Sequence, residues 1–159
     1  MATQDLAPLK KTLRMARSRF LYGLEKTPDD RLHWSPAEGV ATPLALAGKV
    51  VTFLRFSQYL IQHGGPPEGA RPDLPEYADR QEAQTAVGAA FDRALAFVDG
   101  LTDEDLGRTL TPPWRTPASG AEFVQFLPVL VGYFQGQLNL LQACYGDADP
   151  NIPPGWGTE

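Results

Sequence analysis

The side chains able to do chemistry are few. The chain holds two histidines, His33 and His63, one cysteine, Cys144, and four lysines, of which Lys49 is the only one inside an apolar stretch. Zinc requires its ligands to converge within about 2.0–2.3 Å of one point. Two histidines thirty residues apart have no recognisable ligand spacing, so a native site would need Cys144 or a carboxylate brought in by the fold. Lys49 is flanked by Leu46, Val50 and Phe53 at helical spacing. Two readings stay open for it: a buried amine whose pKa falls with desolvation and which then acts as nucleophile or base, or a snorkelling side chain that buries only its methylenes. His63 stands at a helix end, where a cation is favoured. The sequence has no glycine-rich phosphate loop, no His-Glu pair on a helix, no nucleophile elbow and no serine triad with a credible histidine.

The elements that must position these residues follow from periodicity. Glycine and proline make up 30 of 159 residues and concentrate in three stretches, 25–41, 64–79 and 100–120, which read as connections. Four helices are predicted between them, over about 4–24, 43–62, 80–99 and 117–145, each with apolar residues three or four apart. Thr42 and Pro43 form a start signal for the second, and Gly100 and Gly146 end the third and fourth. Pro128 should interrupt or kink the fourth. Nothing reads as a strand. Counting by threes and fours from Phe123 puts Leu127, Leu130, Phe134, Leu138 and Leu141 on the inward face, with Gln137 three beyond Phe134 and Cys144 three beyond Leu141, the latter as a small buried hydrophobe. Trp34 and Trp114 each precede a helix and serve as lids on the bundle ends or line the mouth of a pocket. The predicted fold is an all-α four-helix bundle over residues 1–146, followed by a proline-rich tail, 147–159.

The formal net charge of −5 argues against nucleic acid, which is held by clustered cations. The densest basic run, Lys10 to Arg19, reads as a solvated helix face. One cysteine permits no internal disulfide. Residues 6–13 lack the unbroken apolar run of a signal peptide. The tract 123–134 is too short and too interrupted to span a bilayer. A cytoplasmic protein without membrane or nucleic-acid partners is expected.

Two passages taken together resemble a known family. Arg31-Leu32-His33-Trp34-Ser35-Pro36 leads to Thr42-Pro43-Leu44-Ala45-Leu46-Ala47-Gly48-Lys49, and Pro112-Pro113-Trp114 leads to Leu130-Val131-Gly132-Tyr133-Phe134-Gln135-Gly136-Gln137-Leu138. This resembles the DinB-like (DinB/YfiT) family of four-helix-bundle metalloenzymes, which are often homodimers and include thiol-dependent transferases. The resemblance implies a nickel or zinc ion on three histidines, one on helix two and two on helix four in the order His, three residues, His, one residue, Gly-Gln. Gly136-Gln137 matches the Gly-Gln, so Leu130 and Phe134 stand at the helix-four positions and Lys49 at about the helix-two position. None of these three is a metal ligand in this protein. The expectation is therefore a family member without cofactor or catalysis. It would bind a small apolar ligand in a pocket walled by Leu130 and Phe134, with Lys49 and Gln137 beside it, or act as a scaffold, in either case as a homodimer. The competing expectation is a metal- or thiol-dependent transferase with ligands elsewhere, or one that uses Lys49 directly.

Overall fold

Each long helix begins where a side chain or a proline disposes of the unpaired N–H groups of a first turn. The structure, a computed structural model, describes residues 5–69, 73–113 and 116–158. Helix α1 (Ala7–Lys26) carries Pro8 in its first turn. In α2 (Pro43–His63), Thr42 Oγ1 accepts from the Ala45 N–H at 3.1 Å. Asp79 caps α3 (Arg80–Asp99) by accepting from the Glu82 N–H at 2.9 Å. Gly64 ends α2 with φ +82°, a left-handed conformation that a side chain would strain.

The fourth apolar segment departs from expectation. It is two helices, and a strand pair precedes it. The third connection forms a short helix α4 (Asp103–Gly107) and then β1 (Thr109–Leu110), which pairs antiparallel with β2 (Ala118–Ser119). Ser119 caps α5 (Gly120–Val124) in a reciprocal box with Glu122. The chain turns at Gln125 and α6 (Phe126–Cys144) follows. Pro128 is the third residue of α6, where its missing N–H leaves no intrahelical bond unmade, so it belongs to a helix start and not to a mid-helix kink.

Helix directions explain the long connections. Lys10 meets Asp99 at 2.5 Å, while Arg80 donates to the Leu24 and Thr27 carbonyls, so α1 and α3 are antiparallel. Thr52 donates to the Asp73 carbonyl and Gly48 lies against Pro75, so residues 73–75 run back along α2 and α3 starts level with the α2 head. α2 and α3 are therefore parallel. Helix α6 starts at the far end, where Arg108 donates to the Ile61 carbonyl, and finishes where Tyr145 meets Trp34 near the α2 head. The order is up, down, down, up. Two of the connections cross the bundle ends diagonally and plug them, with buried Leu32 at one end and buried Leu106 and Leu110 at the other. One described helix, α2, is long and apolar enough to cross a bilayer, and more than half of that stretch is buried against the other helices.

The tail folds back onto α1, with the Trp156 indole N–H donating to the Met15 carbonyl at 2.8 Å. The return segment also makes a test. A Cβ at position 48 would lie 2.5 Å from the Pro75 carbonyl oxygen, whereas one at position 88 would meet only the end of Arg17 at 3.5 Å. Gly48→Ala is expected to destabilise the protein by about 1–3 kcal/mol through overpacking. Gly88→Ala should stabilise it by up to about 1 kcal/mol through helix propensity. Urea unfolding of the two variants measures both.

Candidate functional site

Helix α6 contains no charged residue, and its rotation about its own axis decides what each side does. Leu127, Val131, Gln135, Leu138 and Gln142 are buried. Leu130, Phe134 and Gln137 lie on the flank turned toward α2 and are half-buried. There the Phe134 ring meets Phe53 of α2 edge-on, with centroids 6.3 Å apart at 60°. Lys49 is also half-buried and stands one turn toward the α2 head from Phe53. The structure thus gathers Leu130, Phe134 and Gln137 along an α2–α6 seam, with Lys49 one turn from the aromatic contact at its centre.

The buried amides are Gln135 and Gln142, one on each side of the expected Gln137. The Gln142 amide donates to the Gly23 carbonyl at 3.1 Å and locks α6 against α1. The Gln135 amide donates to Asn139 Oδ1 at 2.8 Å. Cys144 is exposed, which corrects its expected burial: it falls past the last inward position. The helical phase runs on through Gln125, which keeps helical angles (φ −68°, ψ −19°) and leaves Phe123 and Leu127, four apart, both buried. Steps of three to Leu130 and Gln137 drift off the inward line that Leu127, Leu138 and Leu141 keep, and Cys144, two residues past the buried Gln142, is turned about 200° away from it.

The histidines do not converge. His33 lies beside the α2 head, with Nε2 3.1 Å from the Ala78 carbonyl oxygen. His63 is the last residue of α2, its ring stacked on Tyr59 at 4.0 Å. A helix of 21 residues separates them by about 31 Å. Among the described residues no group of three or more His, Cys, Asp and Glu is placed to hold a metal ion. At the seam the side chains offer two hydrocarbon groups, an ammonium and an amide. That donor set does not fit nickel or zinc.

Trp34 is half-buried and meets Tyr145 edge-on at 5.9 Å, with the Arg31 guanidinium 5.5 and 5.6 Å from the two ring centres. Burial raises the Tyr145 pKa. This cluster closes the bundle end. Trp114 lies outside the described residues.

The sequence pattern of the DinB superfamily matches residues 12–129. The chain belongs to the DinB superfamily. Among solved structures, it is similar to the crystal structure of a DinB-like protein from Bacillus subtilis, with a TM-score of 0.68, 17% identity, and coverage of 87% of this chain and 92% of that one. No curated protein matches the sequence. At that identity the likeness fixes the fold, and the chemistry must be read from this DinB-like chain's own residues.

Three described cavities lie away from the seam. One lies between α2 and the α3 face carrying Ala86 and Arg93, one at the α2 head beside His33 and Tyr77, and one between α1 and α6 beneath Trp156. The last is lined by Arg19, Gln135 and Trp156, which sequence reasoning missed. Gln135 was findable as the residue four beyond Val131 and three before Leu138. Burial lowers the Arg19 pKa, with Asp149 opposing, and the guanidinium remains a cation.

The aromatic contact at the seam is testable. An edge-to-face pair adds about 0.5–1.5 kcal/mol beyond its buried area. A double-mutant cycle of Phe53→Leu and Phe134→Leu, read by urea unfolding, should return a coupling energy in that range. Strict additivity would mean that the two rings do not meet in solution.

Proposed function

We propose that this DinB-superfamily protein has lost the metal site and acts without catalysis, as a cytoplasmic homodimer that binds a small ligand or serves as a scaffold. The observation that carries this reading is the Phe53–Phe134 contact. It fills with hydrocarbon the seam on which the resemblance places the metal, and neither neighbour, Leu130 nor Lys49, supplies the missing donors. A site of that kind needs three ligands and an open position, and this seam has neither. Protein purified without tag or chelator is expected to carry essentially no nickel or zinc by elemental mass spectrometry, and stoichiometric metal would overturn the reading. The combined variant Lys49→His, Leu130→His, Phe134→His should gain micromolar or tighter zinc affinity. A folded triple variant that binds no metal would mean that the site lies elsewhere.

The homodimer is supported by the outward side of α6. Phe126, Val129, Tyr133 and Leu140 are 38%, 60%, 63% and 65% exposed along one face. Exposed apolar stripes of this sort mark association surfaces. A second copy fits this face better than another partner for two reasons. Each chain has a net charge of −5, so two copies meet with least repulsion on a helix that bears no charge. The face is also self-complementary: antiparallel pairing about a two-fold axis at Tyr133 sets Phe126 of one copy against Leu140 of the other, and Leu130 against Gly136, large against small. Light scattering should give a dimer mass for the natural protein. The double variant Tyr133→Asp, Leu140→Asp should be a monomer with unchanged helical circular dichroism. A monomeric natural protein at working concentration would remove the dimer from the proposal.

A further inference from the structure

The cavity between α1, α6 and the tail has a volume of about 270 Å³. Its walls are mainly apolar, from Met15, Pro128, Val131 and the Trp156 ring. Trp156 is held in place by its hydrogen bond to the Met15 carbonyl, and the Arg19 guanidinium lies 5.7 Å from its ring centre. Two polar atoms of these lining residues have no partner. Arg19 Nη1 is buried with no hydrogen-bond partner, and so is Oε1 of Gln135, a residue only 6% exposed. Buried polar atoms are almost always paired, and leaving a charged one unpaired is the more costly case.

We infer that this cavity binds a small carboxylic acid with an apolar body, its carboxylate on Arg19 and a hydroxyl or amide donor on Gln135. The chemistry selects the class. A cation is repelled by the guanidinium. A neutral hydrocarbon would leave both polar atoms unpaired. A phosphate dianion would find one charged donor and apolar walls. A monocarboxylate brings a single negative charge to a guanidinium on which Asp149 already acts, and accepts the charge-assisted bonds that guanidinium geometry favours. The volume lies just below the range of about 300–1,000 Å³ for drug-sized ligands, which suits a body of one ring or a short branched chain. This deepens the ligand-binding half of the proposed function at a different place from the seam and from the outward face of α6. A metal-content or light-scattering result against that reading therefore leaves this one standing.

The test is isothermal titration calorimetry of the full chain with phenylacetate, with mandelate, which adds a hydroxyl donor, and with the neutral 2-phenylethanol. Saturable binding of phenylacetate is expected, with a dissociation constant near ~1 mM or tighter, the level that about ten well-placed heavy atoms support. Mandelate should bind more tightly than phenylacetate, and phenylethanol at least about tenfold more weakly, as loss of a charge-assisted hydrogen bond implies. Arg19→Met should weaken phenylacetate binding by a similar factor. Gly132→Leu keeps the charge and fills the space, because a Cβ there meets nothing within 4 Å, so it should fold normally and lose binding. Circular dichroism checks folding of both variants. The inference is overturned if phenylacetate shows no saturation up to about 10 mM, if phenylethanol binds as well as phenylacetate, or if folded Arg19→Met or Gly132→Leu binds like the natural protein.

Discussion

The rotational setting of α6 about its own axis is the constraint on which the other features rest. Two contacts fix it. At its start, the turn at Gln125 and Pro128 in the first turn set where the helix begins. Near its end, the Gln142 amide reaches the Gly23 carbonyl across the interface with α1. With those ends fixed, 100° per residue distributes the rest. Val131 and Leu138 enter the core, Phe134 faces α2, Gly132 opens beside α1, and Tyr133 and Leu140 face outward. Rotation by one residue would bring Gly132 and Gly136 inward and turn Val131 out, so the seam, the cavity and the outward stripe stand or fall together.

The same ends explain why a bundle can carry connections of such length. Neighbouring antiparallel helices need only a few residues between them. Here the chain connects α1 to α2 and α3 to α6 across diagonals, and α2 to α3 between parallel helices, so every link must travel. The loops are not slack. Leu32, Leu106 and Leu110 are buried within them, and Thr52 ties the returning segment to α2. Glycine and proline, abundant in these links, supply turns where no regular element can form.

Much of this was legible before any coordinates, and what was missed has a physical cause. Thr42-Pro43 announces a helix start through local capping chemistry that tertiary packing does not alter. The family resemblance rested on passages spread over the chain, and the superfamily match covers 12–129. The α5–α6 break leaves no mark in the sequence because Gln125 keeps helical angles, and the Ser119–Glu122 cap signals only the start of α5. Counting in threes, where about 3.6 residues make a turn, moved the inward amide to Gln137 and buried Cys144, although Leu127, Leu138 and Leu141 hold the inward line. The α1–α6 cavity was invisible for another reason: Arg19 and Trp156 are 137 residues apart in sequence, and only the folded tail brings them together.

The seam and the cavity differ in their energetics. At the seam the side chains pack against one another: two rings meet, and burial of a large apolar side chain contributes roughly 1.5–3 kcal/mol where it is complete. Such packing stabilises the bundle and needs no ligand to complete it. In the cavity the balance is opposite. Arg19 is partly desolvated, its Nη1 is unpaired, and among the described residues the carboxylate that acts on it is Asp149 from the tail. That arrangement costs stability in the free protein. It is sustained by surrounding contacts, the Trp156–Met15 bond among them, that do not depend on Arg19 being satisfied. A fold that gains stability at one flank of a helix can tolerate an unsatisfied charge at the other, and the unsatisfied flank is where binding has most to gain.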